Sequence, residues 1–464
     1  MEGLLSTIDN KPSMLSPESL AAKHKRYVLT PWVAQGAHAP PVIVRGEGVH
    51  LIDADGKRYL DLSAGLVALN LGHGHPVLVR AIAEQAAKLC FAPPSYFHDV
   101  RAELGEALIS LSPWPQGGRV FFTTGGGEAN EDAIKIARTI TGRHKILTAY
   151  RSFHGSGPGA GTLTGENRRW PNEPGMPGAV RFWAPYPYRS PFFTTDPHEE
   201  TARALAHLNE VIAFEGTKHI AALLIEPVVG SNGVIVYPPG YLEGIRKLCD
   251  SNGILLIFDE VMTGFGRVGE AFASLRFGVA PDCITFAKGI TSAYVPLGGL
   301  MLREELAAYF DEHALPSGHT YSGHPLAMAA GLAAIRAYRD EQLFTRAHHI
   351  ESMLRSRLER LRERHPLIGD VRGIGAFFCL EFVSDRQART PLVPWQGKGN
   401  GIMETLFTAL RRRGVYAFGR YNTAFIAPPL VIGEHDIDAG TAILDEAIGE
   451  LAAAHERAEY AQTR

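Results

Sequence analysis

Two apolar runs in this chain end on residues able to do chemistry. ILLIF leads into Asp259 and Glu260, and CITFA leads into Lys288 and Gly289. A buried, unpaired carboxylate is costly enough to neutralise, so Asp259 calls for a cationic partner. Desolvation lowers a lysine amine by up to ~3–5 pKa units at full burial, which makes Lys288 a usable nucleophile and base near neutral pH. A carboxylate that keeps a ring nitrogen protonated, together with an amine that takes an aldehyde as a Schiff base, is what a pyridoxal phosphate (PLP) site needs. Read without their approaches, the same residues would be a surface acidic pair and a solvated lysine.

Short apolar runs bounded by turns suit strands of a parallel sheet covered on both faces, and such sheets bind ligands at their carboxyl ends. Residues 120–122, 221–225 and 254–258 have this character and alternate with helical stretches such as EANEDAIKIAR, which predicts an α/β sheet. In TTGGGEANEDAIKIAR the glycines lie between strand and helix. Gly126 and Gly127 there offer unhindered N–H groups and a helix dipole to a phosphate, although most such turns are only turns. No Lys-Ser/Thr follows and the G-x-G-x-x-G spacing is missing, so a monophosphate fits better than a nucleotide.

With 464 residues, 45% of them hydrophobic, the chain can bury a large core in two or three units. Its longest apolar stretches fall far short of the roughly 20 residues of a membrane-spanning helix. The segment MEGLLSTIDNKPS lacks a basic lead and an apolar core, so a cytoplasmic location is expected. A net charge of -3 without a long basic tract argues against nucleic acid as main partner. Four scattered cysteines (Cys90, Cys249, Cys283, Cys379) suggest reduced core thiols. The pair His73 and His75 in GHGHP lacks a third ligand, so no metal site is expected. Arg411–Arg413 before Gly414 is expected to complement a helix carbonyl end.

Asp55-Gly56 within LIDADGKRYL signals a hairpin, and the ordered fold is expected to begin by about Tyr27. Ile350, Met353, Leu354, Leu358 and Leu361 form a helical packing stripe. Strand-like pieces follow at 375–382 and 423–426, with a closing helix from about Glu434. The division expected is an N-terminal segment, 1–62, packed with a small domain, a large domain at 63–323, and a small α+β domain at 324–464.

Six motifs make the resemblance specific: FTTGGGEANEDAIKIAR at 122–138, SFHG at 152–155, IEPVVGSNG at 225–233, IFDEVMTGFGRVG at 257–269, DCITFAKG at 282–289 and HTYSGHPLA at 319–327. In order and spacing over nearly the whole chain they resemble the class III aminotransferases, fold-type-I PLP enzymes that include ω-amino acid and amine transaminases. The resemblance implies a large domain with a mostly parallel seven-stranded sheet plus a small α+β domain. It implies that Lys288 holds the cofactor aldehyde and then shuttles a proton between substrate Cα and cofactor C4′. Asp259 would hold the ring nitrogen, Gly126 and Gly127 the phosphate, and Phe153 would stack on the ring. Thr320 would reach the phosphate in a neighbouring subunit, making a homodimer the minimum unit, with a tetramer open. Glu226 would brace the site, and His154 would fix the loop or take part in chemistry.

Departures from relatives point to substrate. Ornithine- and γ-aminobutyrate-type members carry a Glu where Ser231 stands and a Gln where Met262 stands. Amine transaminases have a Trp at Val67 and a Tyr at Phe153, and a mobile arginine where this chain has Phe418. Arg420 lies two residues on, in FGRYNTAFIAPPL, where an arginine fork suits a carboxylate or sulfonate unless it is only a solvated loop residue. The resemblance is nearest a taurine:pyruvate-like subgroup, implying an amine donor with a distal anion, a keto acid acceptor expected to be pyruvate, and ping-pong transfer. A PLP lyase or epimerase on the same scaffold would carry the same Asp259 and Lys288.

Overall fold

The computed structural model describes residues 16–36, 38–395 and 401–462, so the stretch MEGLLSTIDNKPS lies outside the described residues. The helix Pro17–Tyr27 precedes the point where order was expected to begin. The alternating pattern builds a seven-stranded sheet. Its spatial order is Gly118–Thr123, Gly298–Arg303, Cys283–Phe286, Leu255–Asp259, Ile220–Ile225, Lys145–Ala149, Ala179–Phe182. Only Gly298–Arg303 pairs antiparallel with its two neighbours, so the other six strands share one direction.

Successive side chains leave a strand on opposite faces, and here both faces are covered. Leu223 and Ile225 pack with Leu208, Ile212 and Ile245 on one side. Ala222 and Leu224 pack with Ala133, Ile134 and Ala137 on the other. Every position of Ile220–Ile225 and Cys283–Phe286 is consequently buried, which is why these strands read as unbroken apolar runs. The register sets Phe258 beside Ile225 and Asp259 beside Thr285, which brings the strand ends level.

The Asp55-Gly56 turn closes a hairpin between His50–Asp53 and Arg58–Asp61. Asp53 accepts the Asp55 and Lys57 N–H groups, and Gly56 takes the positive φ of 83° that the turn requires. Strand Val415–Tyr416 joins the same sheet in parallel with Arg58–Asp61. A further antiparallel sheet contains Ile368–Ile374, Phe377–Asp385, Thr423–Ile426 and Gly419–Arg420. The stripe from Ile350 to Leu361 is the buried face of helix Leu343–Arg364, and the last helix runs Glu434–Gln462.

Two expectations change. Cys90 is exposed, so only three of the four free cysteines are core thiols. Of the arginine cluster, Arg413 does reach the Ala409 carbonyl at 3.2 Å, but carboxylates supply the main partners: Glu404 for Arg411, Glu450 for Arg412, and Glu446 and Glu450 for Arg413.

The motif GFGRVG places Arg267 wholly inside the protein, where it donates to the Ala376 and Pro428 carbonyls at 2.9 and 2.7 Å and to Asn70. One guanidinium thereby joins three distant chain segments. Burial pushes it down to about 10, and the nearby Asp61, itself pushed up to about 6 by burial, is its carboxylate counterpart. Replacing Arg267 by Met is expected to lower stability by about 3 kcal/mol or more, because several charged hydrogen bonds vanish and leave buried carbonyls unpaired. Denaturant unfolding that shifts by under ~1 kcal/mol contradicts this role.

Candidate active site

Strand order dictates the order of side chains along the sheet edge. Lys288 follows Cys283–Phe286, Asp259 ends Leu255–Asp259, Glu226 follows Ile220–Ile225, and Phe153 and His154 follow Lys145–Ala149. Gly126 opens the helix Gly126–Thr141 after Gly118–Thr123. These residues and Met262 line one cavity of about 420 Å³. The lining includes Gly126, Gly127, Phe153, His154, Glu226, Asp259 and Lys288.

Asp259 is buried, and its carboxylate is held from three sides. His154 Nδ1 lies at 2.8 Å, Asn130 Nδ2 donates at 2.8 Å, and the Val261 N–H donates at 3.1 Å. Asn130 is itself fixed, because its amide also donates to the His154 carbonyl and its oxygen accepts from Thr285 Oγ1. Glu226 accepts from the Phe153 N–H at 2.9 Å and the Gly230 N–H at 2.8 Å, so it braces the two turns beside Asp259. Burial, reinforced by the Asp259 charge and opposed by His154, pushes the Glu226 carboxyl up to about 7.

Lys288 has a positive φ of 50°, a strained conformation for a residue with a Cβ, and its amine donates to the Leu66 carbonyl at 3.2 Å. Burial pulls that amine down to about 8; Asp259 and Glu226 oppose the shift and Arg168 adds to it. Gly289 is required beside it, since a Cβ there would stand 2.7 Å from Asn70 Nδ2 and 2.9 Å from Phe265 Cβ. At Gly126 a Cβ would meet Val261 at 2.6 Å. The first-turn N–H groups of this helix have no intrahelical acceptor, which leaves them for an anion.

The remaining expected residues are placed differently. Val67 is buried in an apolar cluster that Met262 and Phe418 pack against, and it does not line the cavity. Ser231 Oγ accepts from Arg168 Nη2 at 2.7 Å. Arg420 Nη2 donates to Glu166 at 2.9 Å and to Asn167 at 3.1 Å, outside the cavity lining. Thr320 is exposed and also outside that lining. Sequence reasoning passed over Asn130, Thr285 and Arg168. Asn130 did leave a signal: a poor helix former on the inward face between Ala129 and Ala133.

A doubly covered, mostly parallel sheet that delivers a buried carboxylate, a desolvated lysine and a glycine-led helix to one cavity defines a fold-type-I PLP enzyme. The chain belongs to the class-III aminotransferase family, whose model matches residues 33–448. It is 36% identical over 454 residues to a probable aminotransferase of Mycobacterium tuberculosis, covering 94% of this chain and 96% of that protein. It is 33% identical over 455 residues to a taurine–pyruvate aminotransferase of Bilophila wadsworthia, covering 92% and 96%. The solved taurine:2-oxoglutarate aminotransferase of Bifidobacterium kashiwanohense, in complex with PLP and glutamate, superposes with a TM-score of 0.91 at 41% identity, covering 95% of this chain and 99% of that one.

Class III aminotransferases are PLP-dependent, and the cavity fits that group. It presents a buried carboxylate, an amine with a lowered pKa, a helix start free of side chains, and the buried, unpartnered Nε2 of His154. When bound, PLP supplies the electron sink that stabilises a carbanion next to the transferring nitrogen. Asp259 would be placed to hold a proton on the ring nitrogen, and Lys288 would be the amine offered as nucleophile and proton carrier.

Two outcomes test this geometry. Because a lysine attacks only when neutral, capture of PLP by the apoprotein should accelerate as pH rises through about 8. The rise should level off above about 8, and a rate that goes on climbing to pH ~10, the ordinary lysine range, contradicts the burial effect. Asn130→Ala should cost about 1–3 kcal/mol in denaturant unfolding, since it strips one donor from Asp259 and orphans Thr285. An unchanged midpoint would remove Asn130 from the support of the site.

Proposed function

We propose that this aminotransferase moves the amino group of a terminal-amino substrate with a distal anion, such as taurine or β-alanine, to a keto acid, with pyruvate the preferred acceptor. The observation that carries the reading is a surplus of positive charge near the cavity. Arg168 and Arg420 share one carboxylate, Glu166, which has no exposed side-chain surface. Two relatives named for taurine support the donor class, although they are named for different acceptors. Lys288 would be the catalytic residue, and Gly126, Gly127, Phe153, His154, Glu226, Asp259 and Met262 would hold the cofactor. Val67, Ser231 and Arg420 would shape the substrate end.

A homodimer belongs to the same proposal. Thr320 stands beside Tyr321, which is 58% exposed and packs edge-on to Phe91, and Phe97 nearby is 99% exposed. Apolar surface of this kind marks interaction sites. The division at residues 62 and 323 is likewise proposed, supported by the sheet that 43–61 shares with 415–416. A cytoplasmic setting is supported by four unpaired cysteines.

A donor panel of taurine, β-alanine, γ-aminobutyrate, putrescine and 1-phenylethylamine against pyruvate and 2-oxoglutarate tests the reading. Taurine or β-alanine with pyruvate should give the highest kcat/KM, and Lys288→Ala should abolish both transfer and the absorbance of bound cofactor. Preference for neutral amines contradicts the donor class, and turnover without a keto acid would favour a lyase or epimerase. Phe97→Asp should shift sedimentation toward a monomer; an unchanged assembly would move the interface elsewhere.

A further inference from the structure

The cluster beyond the cavity contains two arginines with unequal surroundings. The Arg168 guanidinium lies 3.7 Å from the centroid of the Phe153 ring, and Phe153 lines the cavity. Its Nη2 donates to Ser231 Oγ at 2.7 Å, and its Nε pairs with Glu166. Trp32, 67% exposed, approaches it from the N-terminal segment at 5.8 Å. No protein acceptor engages Arg168 Nη1 among the described residues. Arg420 spends Nη2 on Glu166, Asn167 and Tyr421, and its buried Nη1 likewise has no acceptor among the described residues, but it stacks on no ring of the cavity lining.

Charge separates the two as well. Glu166 pairs with both guanidiniums, and the buried Glu226 also acts on Arg168. Burial and the Arg420 charge both pull the Arg168 guanidinium below its ordinary value, so an added anion would relieve it. The Arg168 charge also reaches the Lys288 amine. Of the two guanidiniums, Arg168 is the one that lies against a residue lining the cavity.

We propose that Arg168, stacked on Phe153 and tied to Ser231, binds the distal carboxylate or sulfonate of the substrate, while Glu166 and Arg420 fix it from behind. This rests on the anionic-donor reading given above. Stacking and two hydrogen bonds fix the guanidinium plane before substrate arrives, so little rotamer freedom is lost on binding. Arg420 is then a positioning residue that acts through Glu166.

The test uses the PLP-loaded enzyme and an unreactive probe, propane-1-sulfonate, whose binding is measured by calorimetry. Arg168→Met should weaken that binding about tenfold or more, the range of a lost charged hydrogen bond. It should lower kcat/KM for taurine and β-alanine by a similar factor, and for n-butylamine by a clearly smaller one. Arg168→Lys, which keeps the charge without the fork, should fall between, and Arg420→Met should do less harm than Arg168→Met. Unchanged sulfonate binding in Arg168→Met, or equal losses for acidic and neutral amines, would overturn the assignment. If Arg168→Met fails to retain cofactor, Arg168→Lys decides: full wild-type sulfonate affinity and donor preference overturn it. Arg168-dependent sulfonate binding without turnover of any anionic amine would sink the donor reading and leave the anion site standing.

Discussion

A carboxylate at the end of a central strand, out of reach of bulk water, keeps its charge only if donors are waiting for it. Asp259 meets that condition through His154, Asn130 and the Val261 N–H. Each donor comes from a different piece of the fold: the turn after Lys145–Ala149, the helix Gly126–Thr141, and the turn after the aspartate's own strand. The sheet must therefore be assembled in its observed order for Asp259 to find all three donors. That requirement links the tertiary structure to the chemistry, because the same order sets Glu226 and Lys288 on either side.

Burial then acts on each ionisable neighbour in the direction its charge dictates. It lowers Lys288 to about 8 and raises Glu226 to about 7, bringing a base and an acid toward neutrality from opposite sides. Mutual attraction with Asp259 keeps the lysine from falling further, and repulsion from Asp259 adds to the glutamate's rise. Arg168 extends the pattern outward, since its charge favours a neutral Lys288 and also suits an incoming anion. Amine activation and substrate-anion recognition would thus draw on one electrostatic field.

Much of this was legible in the chain because the features concerned are local. Continuous apolar runs announced strands buried on both faces, and residues at their ends announced the cavity. A glycine-led turn before EANEDAIKIAR announced the helix start, and Ile350 to Leu361 announced a packed face. What stayed hidden depends on closure over long separations. Glu166 and Arg420 lie 254 positions apart, so nothing near Arg420 disclosed its partner. Arg168 sits in a stretch, ENRRW, indistinguishable from a solvated loop until the fold lays it on Phe153. Thr320, expected from the resemblance to reach a neighbouring subunit's phosphate, lies exposed on the single chain.

The dependence of the site on a charged Asp259 is most directly examined by the 15N chemical shift of the ring nitrogen of bound, labelled PLP. With the native residue, the nitrogen should be protonated across neutral pH. In Asp259→Asn, with the cofactor still bound, it should lose that proton. A ring nitrogen in the same protonation state in both proteins would contradict the account.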